Sequence, residues 1–264
     1  MTIVFKGAAK PLSEGGLLAA AAGIDVSARA LRAVIQVETN GHGFDDKGRL
    51  RMLYEPAQFY KRVRKDGQAR AITLGLAKAS MKGASYPRDS YPSLAGAMII
   101  DETAALESAS FGLPQIMGFN HELAGFASAA AMIAAMVDSE DAQVMAMARF
   151  LKGTGLDKAL RNGQWATFAK GYNGVNYRDN AYDTKLAAAY AAIRPDAVPL
   201  SKTPATPVPV AAGVPASLTE RLAVAAPLPA IPPKAAQGPA HGFWATLAAA
   251  ITSALHKPAP VTPT

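Results

Sequence analysis

The residue types available for chemistry narrow quickly. The 264-residue chain has no cysteine, which removes thiol nucleophiles, cysteine zinc sites and disulfides together. Its four histidines, His42, His121, His241 and His256, are scattered, and no His-Glu-x-x-His occurs. Nor is there a Gly-x-Ser-x-Gly elbow, a phosphate-binding loop or a Rossmann glycine pattern. Carboxylates remain as the plausible catalysts. Among them Glu38 has a distinctive setting: it follows Val34, Ile35 and Val37, and Thr39-Asn40-Gly41 stops the helix at once. A carboxyl at the end of a buried helix sits against apolar packing and near the negative end of the helix dipole. Both effects favour the protonated form, which is what a glycosidic leaving oxygen needs from a general acid. A surface glutamate that happens to end a helix would give the same pattern.

The elements that must position such a group read as mostly helical. Ser13 can cap a helix carrying Leu17 and Leu18, with Gly23 as its stop. Asp25 or Ser27 can cap the helix through Leu31, Val34, Ile35 and Glu38, ended by Asn40-Gly41. Further helical patterns cover 56–65, with Pro56 in a first turn, then 68–78, 93–104, 123–137, 139–152 and 183–193. Strand patterns are scarce, and at most a short hairpin fits around Phe44 to Tyr54, turned at Asp46-Lys47-Gly48.

Composition divides the chain. Of 19 prolines, 14 lie from Pro195 onward, so the stretch after Arg194 favours extended, unpacked backbone. The expected organisation is a catalytic domain over 1–193, a Pro/Ala-rich linker over 194–240 and a short amphipathic tail over 241–264. In the tail Phe243, Leu247, Ile251 and Leu255 form one helical stripe. Docking on the domain, self-association and contact with a membrane surface are all open to it. No apolar run approaches the ~20 residues that span a bilayer. Pro11 and Glu14 interrupt the N-terminus before the short run Leu17 to Ala22, which makes a poor signal peptide. The expectation is synthesis in the cytoplasm, with action on a target beyond it after release or delivery. The formal charge is +7, and eight basic residues fall between Lys47 and Arg70. This suits an anionic partner, whether nucleic acid, a membrane surface or a cell-wall polymer.

Three blocks carry a resemblance. Val37-Glu38-Thr39-Asn40-Gly41-His42-Gly43-Phe44, Gly48-Arg49 and Leu53-Tyr54-Glu55 form the first. Ser108-Ala109-Ser110-Phe111-Gly112-Leu113-Pro114-Gln115-Ile116-Met117-Gly118-Phe119-Asn120 forms the second. Trp165-Ala166-Thr167-Phe168-Ala169-Lys170-Gly171-Tyr172-Asn173-Gly174, followed by Tyr177 and Tyr182, forms the third. In this order they resemble the phage and bacterial N-acetylmuramidase family, and more distantly the goose-type lysozymes and lytic transglycosylases.

The resemblance implies a mainly α, lysozyme-like domain that cleaves the β-1,4 bond between N-acetylmuramic acid and N-acetylglucosamine. It implies Glu38 as catalytic acid and Glu55 as partner carboxylate, either a base that positions water or a stabiliser of the oxocarbenium-like transition state. Gln115 and Asn120 would bind sugar substituents, and Gly112 and Gly118 would let the backbone approach the substrate. Tyr172 and Asn173 would line the opposite wall. Glu107, Asp45 and Asp46 stand in reserve for the second carboxylate. No metal or organic cofactor is implied. The implied partner is the peptidoglycan glycan strand, with an anionic membrane surface as a second candidate through the tail, and no nucleic acid. The chain departs from the family pattern at Leu50, where the family has proline, at Ala57, where it has histidine, and at Phe111, where it has tryptophan. Two other readings remain open: a lytic transglycosylase giving anhydro-muramic products, and a non-catalytic wall-binding or phage structural protein.

Overall fold

The structure, a computed structural model, describes residues 3–38 and 42–194. The expected linker beyond Arg194, the amphipathic tail and the Asn40-Gly41 helix stop lie outside the described residues.

Local caps set the first helices. Ser13 presents its hydroxyl to the Gly16 N–H and starts α1 (Glu14–Gly23). Ser27, not Asp25, caps α2 (Ala28–Glu38), its Oγ accepting from the Ala30 N–H at 3.1 Å. Asp25 instead takes a left-handed backbone, φ 54°, in the turn between the helices. Ala30, Leu31, Ala33 and Val34 give α2 its buried face.

The hairpin expected over 44–54 is reduced to one bridge, Phe44 with Leu50, around a turn in which Asp45 Oδ1 accepts from the Lys47 and Arg49 N–H groups. The strand that follows, β1 (Met52–Tyr54), pairs with β2 (Ala109–Phe111), and β2 turns back into β3 (Ile116–Met117). All three strands are antiparallel, with Met52 opposite Phe111 and Ser110 opposite Met117. The small sheet thus joins the first block to the second.

Between those strands lie α3 (Pro56–Arg62), α4 (Lys65–Thr73), α5 (Tyr91–Ile100) and α6 (Glu102–Glu107). The break between α3 and α4 comes at Val63 and Arg64, both extended. The helix expected over 93–104 is also divided. Asp101 leaves helical geometry and caps α6 by accepting from the Ala104 N–H.

After a 3-10 turn at Gly118–Asn120 come α7 (Ala129–Met136), α8 (Glu140–Gly153), α9 (Leu156–Arg161), α10 (Trp165–Asn173) and α11 (Tyr182–Ala192). The helix expected from Leu123 begins only at Ala129, capped by Ser128. The apolar residues before it are held in a turn by the Phe126 N–H to His121 carbonyl bond at 2.9 Å, with Gly125 at φ 84°. α9 and α10 were not among the helices expected. α8 is the central element and packs on α1, α7 and α9. Its Val144, Met147, Phe150 and Leu151 are fully buried, each worth roughly 1.5–3 kcal/mol of apolar burial. α11 lies against both α2 and α10, and Arg29 on α2 stacks over the Tyr190 ring while bonding its carbonyl.

Candidate active site

Glu38 is the last residue of α2, a helix packed against α1 and α11. Its backbone therefore lies at the C-terminal, negative end of a helix dipole. Its side chain lies outside the described residues.

Glu55 stands where β1 passes into α3. Its N–H donates to the Ser108 carbonyl at 2.9 Å, tying the strand end to the start of the second block. Pro56 in the first turn of α3 sets the chain direction immediately after it. The side chain is 4% exposed and leaves the helix N-terminus uncapped. Among the described residues its one hydrogen-bond donor is the Tyr86 phenol, 2.5 Å from Oε2. Burial pushes the Glu55 carboxyl up to about 7, against the opposing pull of that hydrogen bond. Burial and the bond to Glu55 also raise Tyr86, so the phenol keeps its proton.

The second block is stitched to the first. The Gly112 N–H donates to the Arg51 carbonyl at 2.8 Å. The Gln115 amide works within this turn: Nε2 donates to the Gly112 carbonyl at 2.7 Å, and Oε1 accepts from the Ser110 hydroxyl at 2.9 Å. Gln115 itself adopts φ 51°, so its side-chain bonds hold a strained corner of the β2–β3 hairpin. Asn120, 7% exposed, sits in the 3-10 turn that follows.

The block glycines are required by the protein's own packing. A Cβ on Gly118 would lie 2.0 Å from the Leu106 carbonyl oxygen. A Cβ on Gly43 would lie 1.9 Å from Gln143 Oε1, and one on Gly112, at φ 72°, would lie 3.0 Å from the same amide. Gln143, fully buried on α8, accepts from the Leu113 N–H at 2.7 Å and donates to the Met136 carbonyl at 3.0 Å. One turn earlier, Glu140 accepts from the Gly43 N–H at 2.6 Å and the Leu12 N–H at 2.9 Å. Glu140 and Gln143 therefore clamp the segment just after Glu38 and the second block onto one face of α8. Neither residue belongs to any of the three blocks. Their spacing of three on one helix face was the available signal, but at a helix start such a pair reads as solvent-facing.

Tyr172 is fully buried, its ring stacked on Phe168 at 5.1 Å, so it has no face free for a sugar. Phe111 is also a core residue, stacked on Phe5 at 6.4 Å, and makes no wall. Asn173, 7% exposed, ends α10. The reserve carboxylates are engaged elsewhere or exposed. For Asp45, desolvation alone would raise the carboxyl, but hydrogen bonds from Arg49 and the Lys47 N–H outweigh it and hold it below the usual range. Glu107 faces the half-buried Arg62 at 4.0 Å, and Asp46 lies exposed in the turn. A cleft of about 900 Å³ runs beside this turn, with His42, Asp46, Arg51, Arg88 and Glu140 among its lining; Glu55 is not part of it.

The family model for N-acetylmuramidases matches residues 27–194, which include all three blocks and both glutamates. The chain belongs to the N-acetylmuramidase family. It is a glycoside hydrolase, and its substrate is peptidoglycan. Among solved structures it is similar to an endolysin of Burkholderia phage AP3, at 36% identity and a TM-score of 0.64, covering 69% of this chain and 71% of that one. No curated protein matches it. In this muramidase the small sheet joins Glu55 to the second block, and Glu140 on α8 holds the Gly43 N–H.

Proposed function

We propose that this muramidase hydrolyses the β-1,4 bond between N-acetylmuramic acid and N-acetylglucosamine, with Glu38 as acid and Glu55 as its partner. The observation that carries the reading is Glu55: a carboxyl buried to 4% exposure, lifted to about 7, in the block that also holds Glu38. A purely structural carboxylate in that position would be expected to gather several donors; among the described residues this one has the Tyr86 phenol.

The helix end favours a protonated Glu38, which delivers its proton to the glycosidic oxygen as the bond to the leaving sugar breaks. Positive charge develops on the ring oxygen and anomeric carbon. Ionised Glu55 stabilises that charge, or takes a proton from the water that attacks the anomeric carbon. The water oxygen ends as the new hydroxyl, and the departing sugar keeps the proton first given by Glu38. The proton that the water sheds goes to Glu55 when Glu55 is the base, or to the Glu38 carboxylate when Glu55 only stabilises charge.

The cleft beside residues 42–51 carries both signs of charge, Lys47, Arg49, Arg51 and Arg88 beside Asp45, Asp46, Asp89 and Glu140, so its charge alone does not select the anionic parts of the wall polymer. No nucleic-acid partner enters this reading. An anionic membrane surface as a second partner is carried by the sequence of the tail alone. Synthesis in the cytoplasm followed by delivery to the wall is likewise proposed from the sequence.

Product analysis tests the chemistry. Digestion in ¹⁸O-water should give reducing muramic acid ends carrying one heavy oxygen. Anhydro-muramic ends without label would overturn hydrolysis in favour of transglycosylation.

A further inference from the structure

The chain leading from α4 into the start of α5 carries a short repeat, Ser85-Tyr86-Pro87 and Ser90-Tyr91-Pro92. Pro87 biases Tyr86 away from helical backbone, whereas Tyr91 opens α5 with Pro92 in its first turn. The two phenols reach different targets on the segment around β1. Tyr91 donates to the Leu50 carbonyl at 2.5 Å, whereas Tyr86 donates to the Glu55 carboxylate. Position 57, on the first turn after Glu55, is alanine and offers that carboxylate no polar group. The donor comes instead from a residue remote in sequence.

We propose that Tyr86 is a positioning residue of the reaction: its phenol fixes the Glu55 carboxylate and keeps it available in ionised form. This rests on the reading of Glu55 as the partner carboxylate. A bond accepted by the carboxylate stabilises the ionised state, so it works against burial. Of the other ionisable groups on the elements around Glu55, Tyr54 donates to the Leu76 carbonyl, and Arg62 bonds Gln58 Oε1 and faces Glu107. Tyr86, half-buried and protonated, is left to set the balance.

The test is Tyr86→Phe, read in two ways. Carbon-13 labelling of glutamate carboxyls, with Glu55 assigned by its loss in Glu55→Gln, follows the titration of Glu55 directly. The pH profile of peptidoglycan cleavage follows its use. In the variant the Glu55 titration should move up by about one to two pH units. The acid limb of activity should move with it, giving a loss of about tenfold or more at pH 6 that largely recovers at pH 9. Tyr91→Phe, at the start of α5, should lower stability without moving that limb. An unmoved Glu55 titration in Tyr86→Phe overturns the proposal and leaves the role of Glu55 untouched. A titration that moves while the activity limb stays overturns the reading of Glu55 itself, and the proposal with it.

Discussion

Two glutamates, Glu55 and Glu140, are buried to nearly the same degree at helix starts, yet their surroundings differ. Glu140 accepts from two backbone N–H groups and draws the N-terminal segment and the chain after Glu38 onto α8. Among the described residues Glu55 accepts from one phenol, and burial raises it to about 7. The first arrangement is that of a structural carboxylate, whose charge is answered by fixed donors. The second leaves a carboxyl poised between its two forms, as acid–base chemistry requires. Burial alone does not separate the two glutamates; their donors do.

Swapping each for glutamine should break the symmetry in opposite directions. Glu55→Gln should lower the rate of wall cleavage by about 100-fold or more while keeping or raising the melting temperature at neutral pH. Its pH dependence has a definite sign. Because the folded pKa lies above the ordinary value of 4.5, the stability linked to Glu55 is fully present below about 4.5 and is lost as pH rises to about 7. The loss amounts to about 3 kcal/mol for a shift of this size. Urea unfolding across that window should show this slope in the parent and not in Glu55→Gln.

Glu140→Gln should do the reverse. Losing the charge behind two hydrogen bonds should cost about 1.5–3 kcal/mol of unfolding free energy at neutral pH. Activity should fall through misplacement of the segment after Glu38. A Glu140 variant of unchanged stability but no activity would place Glu140 with Glu55 rather than apart from it.

The clamp can be probed without touching a charge. Gly43→Ala pushes a methyl into the Gln143 amide, which must release the Leu113 N–H or the Met136 carbonyl. A loss of about 1–3 kcal/mol in chemical unfolding is expected. The smallest effect belongs to the partly exposed Asp45–Arg49 pair, 2.7 Å apart. Asp45→Asn should change unfolding by about 1 kcal/mol or less and leave cleavage intact.

Much of this was legible in the sequence, and for physical reasons. Ser13, Ser27, Pro56 and Ser139 mark helix starts by chemistry that acts over three or four residues. The three blocks carry the family. What stayed hidden depends on contacts between distant segments. The phenol on Glu55 comes from residue 86, and the reason Gly43 and Gly112 are glycines lies on α8. Tyr172 was expected at a sugar-facing wall because its segment resembles one, but the packing of α10 turns its ring onto Phe168 in the core. Pairing of β1 with β2 was likewise invisible, since three-residue strands carry too little alternation to declare a partner.

The most direct measurement is the cleavage rate of purified peptidoglycan by Glu38→Gln beside the parent, with both shown folded by their unfolding curves. The account expects a loss of at least about 100-fold at every pH, because glutamine cannot hand a proton to the leaving oxygen. A variant that clears the wall as fast as the parent would contradict the assignment of Glu38 as the acid.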